Sequence, residues 1–167
     1  MKIFMHILFS AFMLCSLAVS AGTLKAYNGS LISPSFTLQD MAGKSHNLKN
    51  YRGQVILVQF WASYCAPCRT EMPSMNNLQK KLKQKPFNIL AINMAEEKAD
   101  ITRFVADVKP AFTILHDVDA RVLQQWKVFA APASFLLDKN GEVKFVLYGA
   151  VEWDSADIIK TITQLMK

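Results

Sequence analysis

The chain has 167 residues, 51% of them apolar and 19% charged, with a formal net charge of +6. That balance fits a globular protein with a true core and excludes a disordered or low-complexity chain. The positive charge is spread out and comes with no nucleic-acid-binding motif, so no nucleic-acid partner is expected; the cluster of Lys80, Lys81, Lys83 and Lys85 reads as a solvated helix face.

Taken in chain order, the first segment reads as a targeting signal. Lys2 supplies a positive start, residues 3–19 are almost wholly apolar, and Val19-Ser20-Ala21 offers the small residues that signal peptidase requires. The expectation is a signal peptide over residues 1–21, a mature chain starting near Gly22, and export to the periplasm. A retained membrane anchor is the rival, because the apolar stretch approaches spanning length. Leu14 is too bulky for lipid attachment at Cys15. Residues 22–34 are polar and read as a loose lead-in.

Residues 36–38 alternate as a short strand, Gly43 marks a turn, and residues 45–48 return as the hairpin partner. Val55-Ile56-Leu57-Val58-Gln59-Phe60-Trp61 is a nearly continuous apolar run, the mark of a central strand covered on both faces. Residues 65–85 carry Met72, Met75, Leu78 and Leu82 at spacings of three and four, which predicts a helix stopped by Pro86, with Pro73 bending it. A strand over 87–94, a helix over 98–108 and a short strand over 112–115 follow. Residues 120–126 form a short helix capped from the Asp117-Val118-Asp119 loop. Two strands over 133–137 and 142–148 flank a tight turn, and a helix over 155–166 closes the chain. This alternation predicts an α/β fold: a mixed β-sheet flanked by helices.

Of three cysteines, Cys15 leaves with the signal, and Cys65 and Cys68 remain. Two cysteines are not the disulfide framework of a small secreted domain. The pair lies where the central strand passes into the helix. Unpaired N–H groups and the positive end of the macrodipole meet there, favour a thiolate, and should lower the pKa of Cys65. Cys68 lies one turn further, close enough to bond Cys65 but deeper. Pro67 falls in the first turn, where a missing N–H does no harm. A CxxC pair is also half a zinc site, but only His46 and His116 remain as histidines, without a ligand pattern. A purely structural disulfide closing so short a loop would stabilise little.

The run Phe60-Trp61-Ala62-Ser63-Tyr64-Cys65-Ala66-Pro67-Cys68-Arg69-Thr70-Glu71-Met72-Pro73 resembles the active-site segment of the TlpA/ResA-like branch of the thioredoxin superfamily. Val128-Phe129-Ala130-Ala131-Pro132-Ala133-Ser134-Phe135 resembles its cis-proline segment. The resemblance covers nearly all of the chain from Ser35 onward. It implies a thioredoxin fold over residues 35–167, with an N-terminal β-hairpin and a central β-α insertion. It further implies a redox-active Cys65–Cys68 disulfide and thiol–disulfide exchange without a cofactor or metal. A cis Ala131–Pro132 bond would face the cysteines, where the residues alone would favour an ordinary trans proline. Trp61, Tyr64, Ala131 and Pro132 become candidate substrate contacts.

The same resemblance places an acid, Glu71, in a cavity beside the cysteines, where it could raise a thiol pKa or relay a proton to Cys68. The plainer alternative is a helix-start glutamate that complements the macrodipole. Thioredoxin carries a buried acid where this chain has Gln59, which cannot titrate. Members of the branch are mostly reductants of periplasmic proteins, re-reduced by a membrane-embedded donor of the DsbD/CcdA type, and many serve cytochrome c or oxidase assembly. The residues between the cysteines, Ala66-Pro67, lack the histidine of the oxidising DsbA type, and Ala133 departs from the glutamate of the CcmG subgroup. A monomer acting on protein thiols and disulfides is expected. A thiol oxidase or isomerase, or a metal- or haem-assembly chaperone using the pair as ligands, stands as the alternative.

Overall fold

In a computed structural model, residues 24–27 and 32–167 are described. The expected leader over 1–21, with Cys15, lies outside the described residues, as do residues 22, 23 and 28–31 of the lead-in. The strands are β1 Lys25–Ala26, β2 Thr37–Asp40, β3 Ser45–Asn47, β4 Val55–Trp61, β5 Phe87–Asn93, β6 Thr113–His116, β7 Ala133–Leu137 and β8 Val143–Tyr148. The helices are α1 Ala66–Lys81, α2 Lys98–Val108, α3 Arg121–Gln125 and α4 Ala156–Leu165, with a short 3-10 turn at Leu48–Tyr51.

All eight strands form one mixed sheet in the order β1-β8-β7-β4-β5-β6-β2-β3. β4 is buried along its whole length because it has a neighbour on each edge and a core on each face. It pairs in parallel with β5 and antiparallel with β7. One core lies beneath α1, α2 and α4 and contains Leu57, Trp61, Met72, Met75, Leu78, Ile101, Phe104 and Ile162. The other lies under α3 and the β2–β3 hairpin and contains Phe36, Leu38, Val58, Phe60, Val122 and Trp126. Each aliphatic side chain buried in these layers contributes about 1.5–3 kcal/mol. This is the thioredoxin arrangement that the sequence implied, with β2–β3 as the N-terminal hairpin and two strand–helix pairs, β5–α2 and β6–α3, between the cysteine helix and β7. No helix among the described residues is long and apolar enough to cross a membrane.

Three local departures have physical causes. The helix expected to reach Lys85 ends at Lys81, five residues before Pro86. The Leu82 N–H reaches Leu78 O and Lys80 O, and tight turns over Lys83 and Lys85 carry the chain to the proline. At Pro73 the helix continues without a break. The lead-in is not wholly loose, since β1 pairs with β8 and Ile32 bridges to Glu142. The buried Ser33 donates from both N–H and Oγ to Gly141 O. The ordered domain therefore begins before Ser35: main-chain groups at the edge of β8 recruit these residues, and such pairing leaves no hydrophobic pattern to read. The expected cap of α3 is present, with the buried Asp117 carboxylate accepting from Val122 N and Leu123 N.

Candidate active site

The end of β4 delivers the chain into a turn that places Cys65 at the N-cap of α1. There the Cys65 sulfur accepts a hydrogen bond from the Cys68 N–H at 3.2 Å. The sulfur thus satisfies one of the donors that a helix start leaves free. Cys65 and Cys68 are joined as a disulfide, with S–S 2.04 Å and Cα–Cα 5.3 Å. Cys65 keeps 8% of its surface exposed and Cys68 none. Cys65 thus keeps a small part of its surface open, and Cys68 is sealed.

The turn before Cys65 is pinned by the loop that follows β5. Glu96, in the loop between β5 and α2, accepts from the Ser63 N–H at 2.6 Å and from Ser63 Oγ. Asn93 at the end of β5 donates to the same carboxylate at 2.7 Å. Neither Ser63 nor Glu96 stands out in the sequence, because the two are far apart in the chain and nothing periodic links them.

The Ala131–Pro132 peptide is cis, as the resemblance implied. Pro132 is buried, Ala131 is half-buried, and Ala131 packs against the core that contains both cysteines. The Pro132 carbonyl accepts from the Gly149 N–H at 2.9 Å, which ties the segment to the end of β8. Gly149 has φ +103, a conformation that side chains rarely adopt. Tyr64 is 78% exposed and Phe129 82%, and Phe129 stacks on Tyr148 with ring centroids 4.8 Å apart. These aromatic rings flank the two segments that carry the cysteines and the proline. Trp61 corrects an expectation. It has no exposed surface and packs on Phe104 at 4.5 Å, so it forms the floor of the site and not a substrate contact.

Glu71 lies one helical turn after Cys68 and is only 2% exposed. It is not a solvated helix-start acid. Its Oε2 accepts from Trp153 Nε1 at 2.9 Å and from the Val151 N–H at 3.4 Å, and its Oε1 accepts from Gln59 Nε2. No cation is among its partners. Burial pushes its pKa up to about 7, against the lowering effect of the bonds from Trp153, Gln59 and Val151. A carboxyl in this position changes protonation state near neutral pH. Trp153 is the partner most accessible to sequence reasoning in hindsight: a lone tryptophan between Glu152 and Asp154 is a large apolar body in a polar loop.

The two histidines of the described residues sit elsewhere. His46 bridges Asp40 at 2.8 Å and the Tyr51 hydroxyl at 2.6 Å in the hairpin, and His116 bonds the Glu96 carbonyl at 2.8 Å. Neither stands beside the cysteine pair as a further ligand.

Comparison with known proteins agrees with this geometry. The family model described as the AhpC/TSA family matches residues 32–146. The chain is 39% identical over 119 residues to the thiol-disulfide oxidoreductase ResA of Geobacillus kaustophilus, which spans 71% of this chain and 68% of that protein. Its identity to ResA of Bacillus subtilis is 33% over 134 residues, 80% of this chain and 74% of that one. Among solved structures it is similar to a candidate thiol:disulfide interchange protein DsbE from Chlorobium tepidum. The TM-score is 0.77 and the identity 31%, over 87% of this chain and all of that one.

Proposed function

The chain belongs to the AhpC/TSA family as a ResA-like thiol–disulfide oxidoreductase of the thioredoxin fold, and from that premise we propose that it is an exported reductant of disulfides in periplasmic proteins. The observation that carries the reading is the asymmetry of the pair: Cys65 reaches the surface at a helix N-terminus, and Cys68 is sealed beside a buried, neutral-range acid. Cys65 as thiolate attacks a substrate disulfide and forms a mixed disulfide. Cys68 gives its proton to Glu71, attacks the Cys65 sulfur, and releases the substrate thiolate. Tyr64, Ala131 and Pro132, with the stacked Phe129 and Tyr148, form the face on which the substrate chain lies.

The reducing direction is supported by the absence of a histidine between the cysteines and by the ResA-like motif. A membrane-embedded donor of the DsbD/CcdA type would return electrons to the pair, and the protein would act as a monomer. Export rests on the apolar leader and the Val19-Ser20-Ala21 site. The deciding experiment is acid quenching of cells followed by thiol alkylation of the pair. A mostly reduced pair, turning oxidised when the membrane donor is deleted, is the expected result. A pair that stays oxidised in growing cells would replace the reductant with an oxidase or isomerase.

A further inference from the structure

Gln59 sits in the middle of β4, fully buried, its side chain on the face shared with Leu57 and Trp61. Its Nε2 donates to Glu71 Oε1, but its own carbonyl oxygen has no partner. Directly opposite it on β7 lies Ser134, also buried, whose Oγ has no partner either. Two unmatched polar groups in register on adjacent strands carry a desolvation cost that an apolar pair would avoid. Holding Glu71 in one charge state requires only the amide's N–H, not an orphan oxygen beside a hydroxyl.

We infer that Gln59 is a positioning residue that serves both protonation states of Glu71 by turning its terminal amide. With Glu71 ionised, Nε2 donates to the carboxylate, as observed. With Glu71 protonated, a half-turn of the amide brings Oε1 round to accept the carboxyl O–H. The torsion involved has a broad, nearly two-fold profile, so both orientations are accessible. Ser134, unbonded in the observed orientation, lies in register on β7 with a hydroxyl that can accept from Nε2 once the amide has turned. The remaining partners of Glu71 cannot do this. The Val151 N–H and Trp153 Nε1 only donate, and so favour only the charged form.

The groups around Glu71 leave Gln59 as the adaptable one. β4 contributes Gln59, the segment after β8 contributes Val151 and Trp153, and α1 contributes Ser74, with Cys68 one helical turn before Glu71. Ser74 Oγ is committed to the Glu71 carbonyl and the Trp153 N–H. The charged neighbours Glu152 and Asp154 are engaged with each other and with Lys81. This inference rests on the reading that Glu71 exchanges a proton with Cys68. In that cycle Glu71 takes the Cys68 proton as the Cys65–Cys68 bond forms and the bond from Cys65 to the substrate sulfur breaks. In the disulfide form that proton exchanges with water, and the observed donor orientation is that of the ionised carboxyl. A protonated Glu71 gives its proton to Cys68 when Cys68 leaves as thiolate on re-reduction, and Gln59 turns with each change.

The test uses the oxidised full protein, in which the cysteines do not titrate, with 15N-labelled glutamine. The Gln59 side-chain amide protons are followed by NMR across the neutral range, beside the Glu71 carboxyl carbon. The expected result is a shared midpoint, with the amide's contacts moving from Glu71 toward Ser134 as Glu71 protonates. In Gln59→Met, the expected loss of stability is similar at about pH 5.5 and about pH 8.5, with the Glu71 midpoint moved by less than about half a unit. An amide that keeps its contacts throughout would overturn the inference. So would a Gln59→Met loss confined to the alkaline side with a midpoint raised by about a unit or more, the mark of a fixed donor. Should the variant fail to fold, the wild-type NMR result decides. Failure of the proton-exchange reading would show separately, as reduced-state thiol titrations that ignore Glu71 while the Gln59 signals still follow it.

Discussion

The indole Nε1 of Trp153 donates to Glu71 Oε2 at 2.9 Å, joining the loop after β8 to the helix that carries both cysteines. Both side chains are buried, and the bond favours the ionised carboxyl. Trp153→Phe keeps most of the packing and removes that donor. The Glu71 titration should move further upward. Stability should fall by about 2 kcal/mol at about pH 8.5 and by less at about pH 5.5, where the carboxyl is neutral. Denaturant unfolding at the two pH values checks this, and equal losses would show that the bond contributes nothing specific to the charged state.

The burial of Glu71 has a signed consequence for stability. An unfolded glutamate loses its proton at its ordinary value of 4.5, while the folded one holds it up to about 7. Between these values the folded protein binds more protons than the unfolded chain, so stability declines as pH rises through the window and stays lower above it. The shift corresponds to about 3 kcal/mol. Glu71→Gln should abolish that decline and stand above the wild type in the alkaline range. Parallel stability profiles for the two proteins would exclude a buried titrating carboxyl.

The same substitution tests the coupling to the thiols. A nearby negative charge disfavours a thiolate, so Glu71→Gln should lower at least one thiol pKa by on the order of one unit and make the disulfide more oxidising. Substrate reduction should nonetheless slow, by roughly 100-fold if Cys68 has lost its proton acceptor. Thiolate absorbance followed against pH in the reduced proteins gives the answer. Superimposable curves would leave Glu71 with a structural role alone.

The exposure of Cys65 against the closure over Cys68 predicts an order of reaction. Brief alkylation of the reduced protein should label Cys65 well before Cys68. Cys68→Ser should accumulate a mixed disulfide with substrate, and Cys65→Ser should form none. Peptide mapping that finds equal labelling, or a trapped adduct on Cys68, would reverse the assigned roles.

Export predicts the start of the mature protein. N-terminal sequencing of material from the native host should begin near Gly22. A chain that begins at Met1 and partitions with membranes would make the leader an anchor.

Much of the architecture was legible in local pattern. The apolar run of β4, the 3.6-residue rhythm of α1 and the CxxC at their junction follow from which residues must be buried and which helix end carries free N–H groups. The end of α1 and the pairing of β1 were not legible. The first depends on a hydrogen-bonded turn before Pro86, and the second on the free edge of β8.

By itself the sequence determined the chemistry: two cysteines one turn apart at a helix start and an acid one turn further, with the family resemblance adding a proline segment to face them. Only the tertiary structure decided how those groups are tuned. Glu71 looks the same in the chain whether it faces water or a core. The approach of Gln59 from the central strand and of Trp153 from a distant loop makes it a buried acid. Desolvation and hydrogen-bond geometry are properties of what surrounds a side chain, and those surroundings come from residues far apart in the chain.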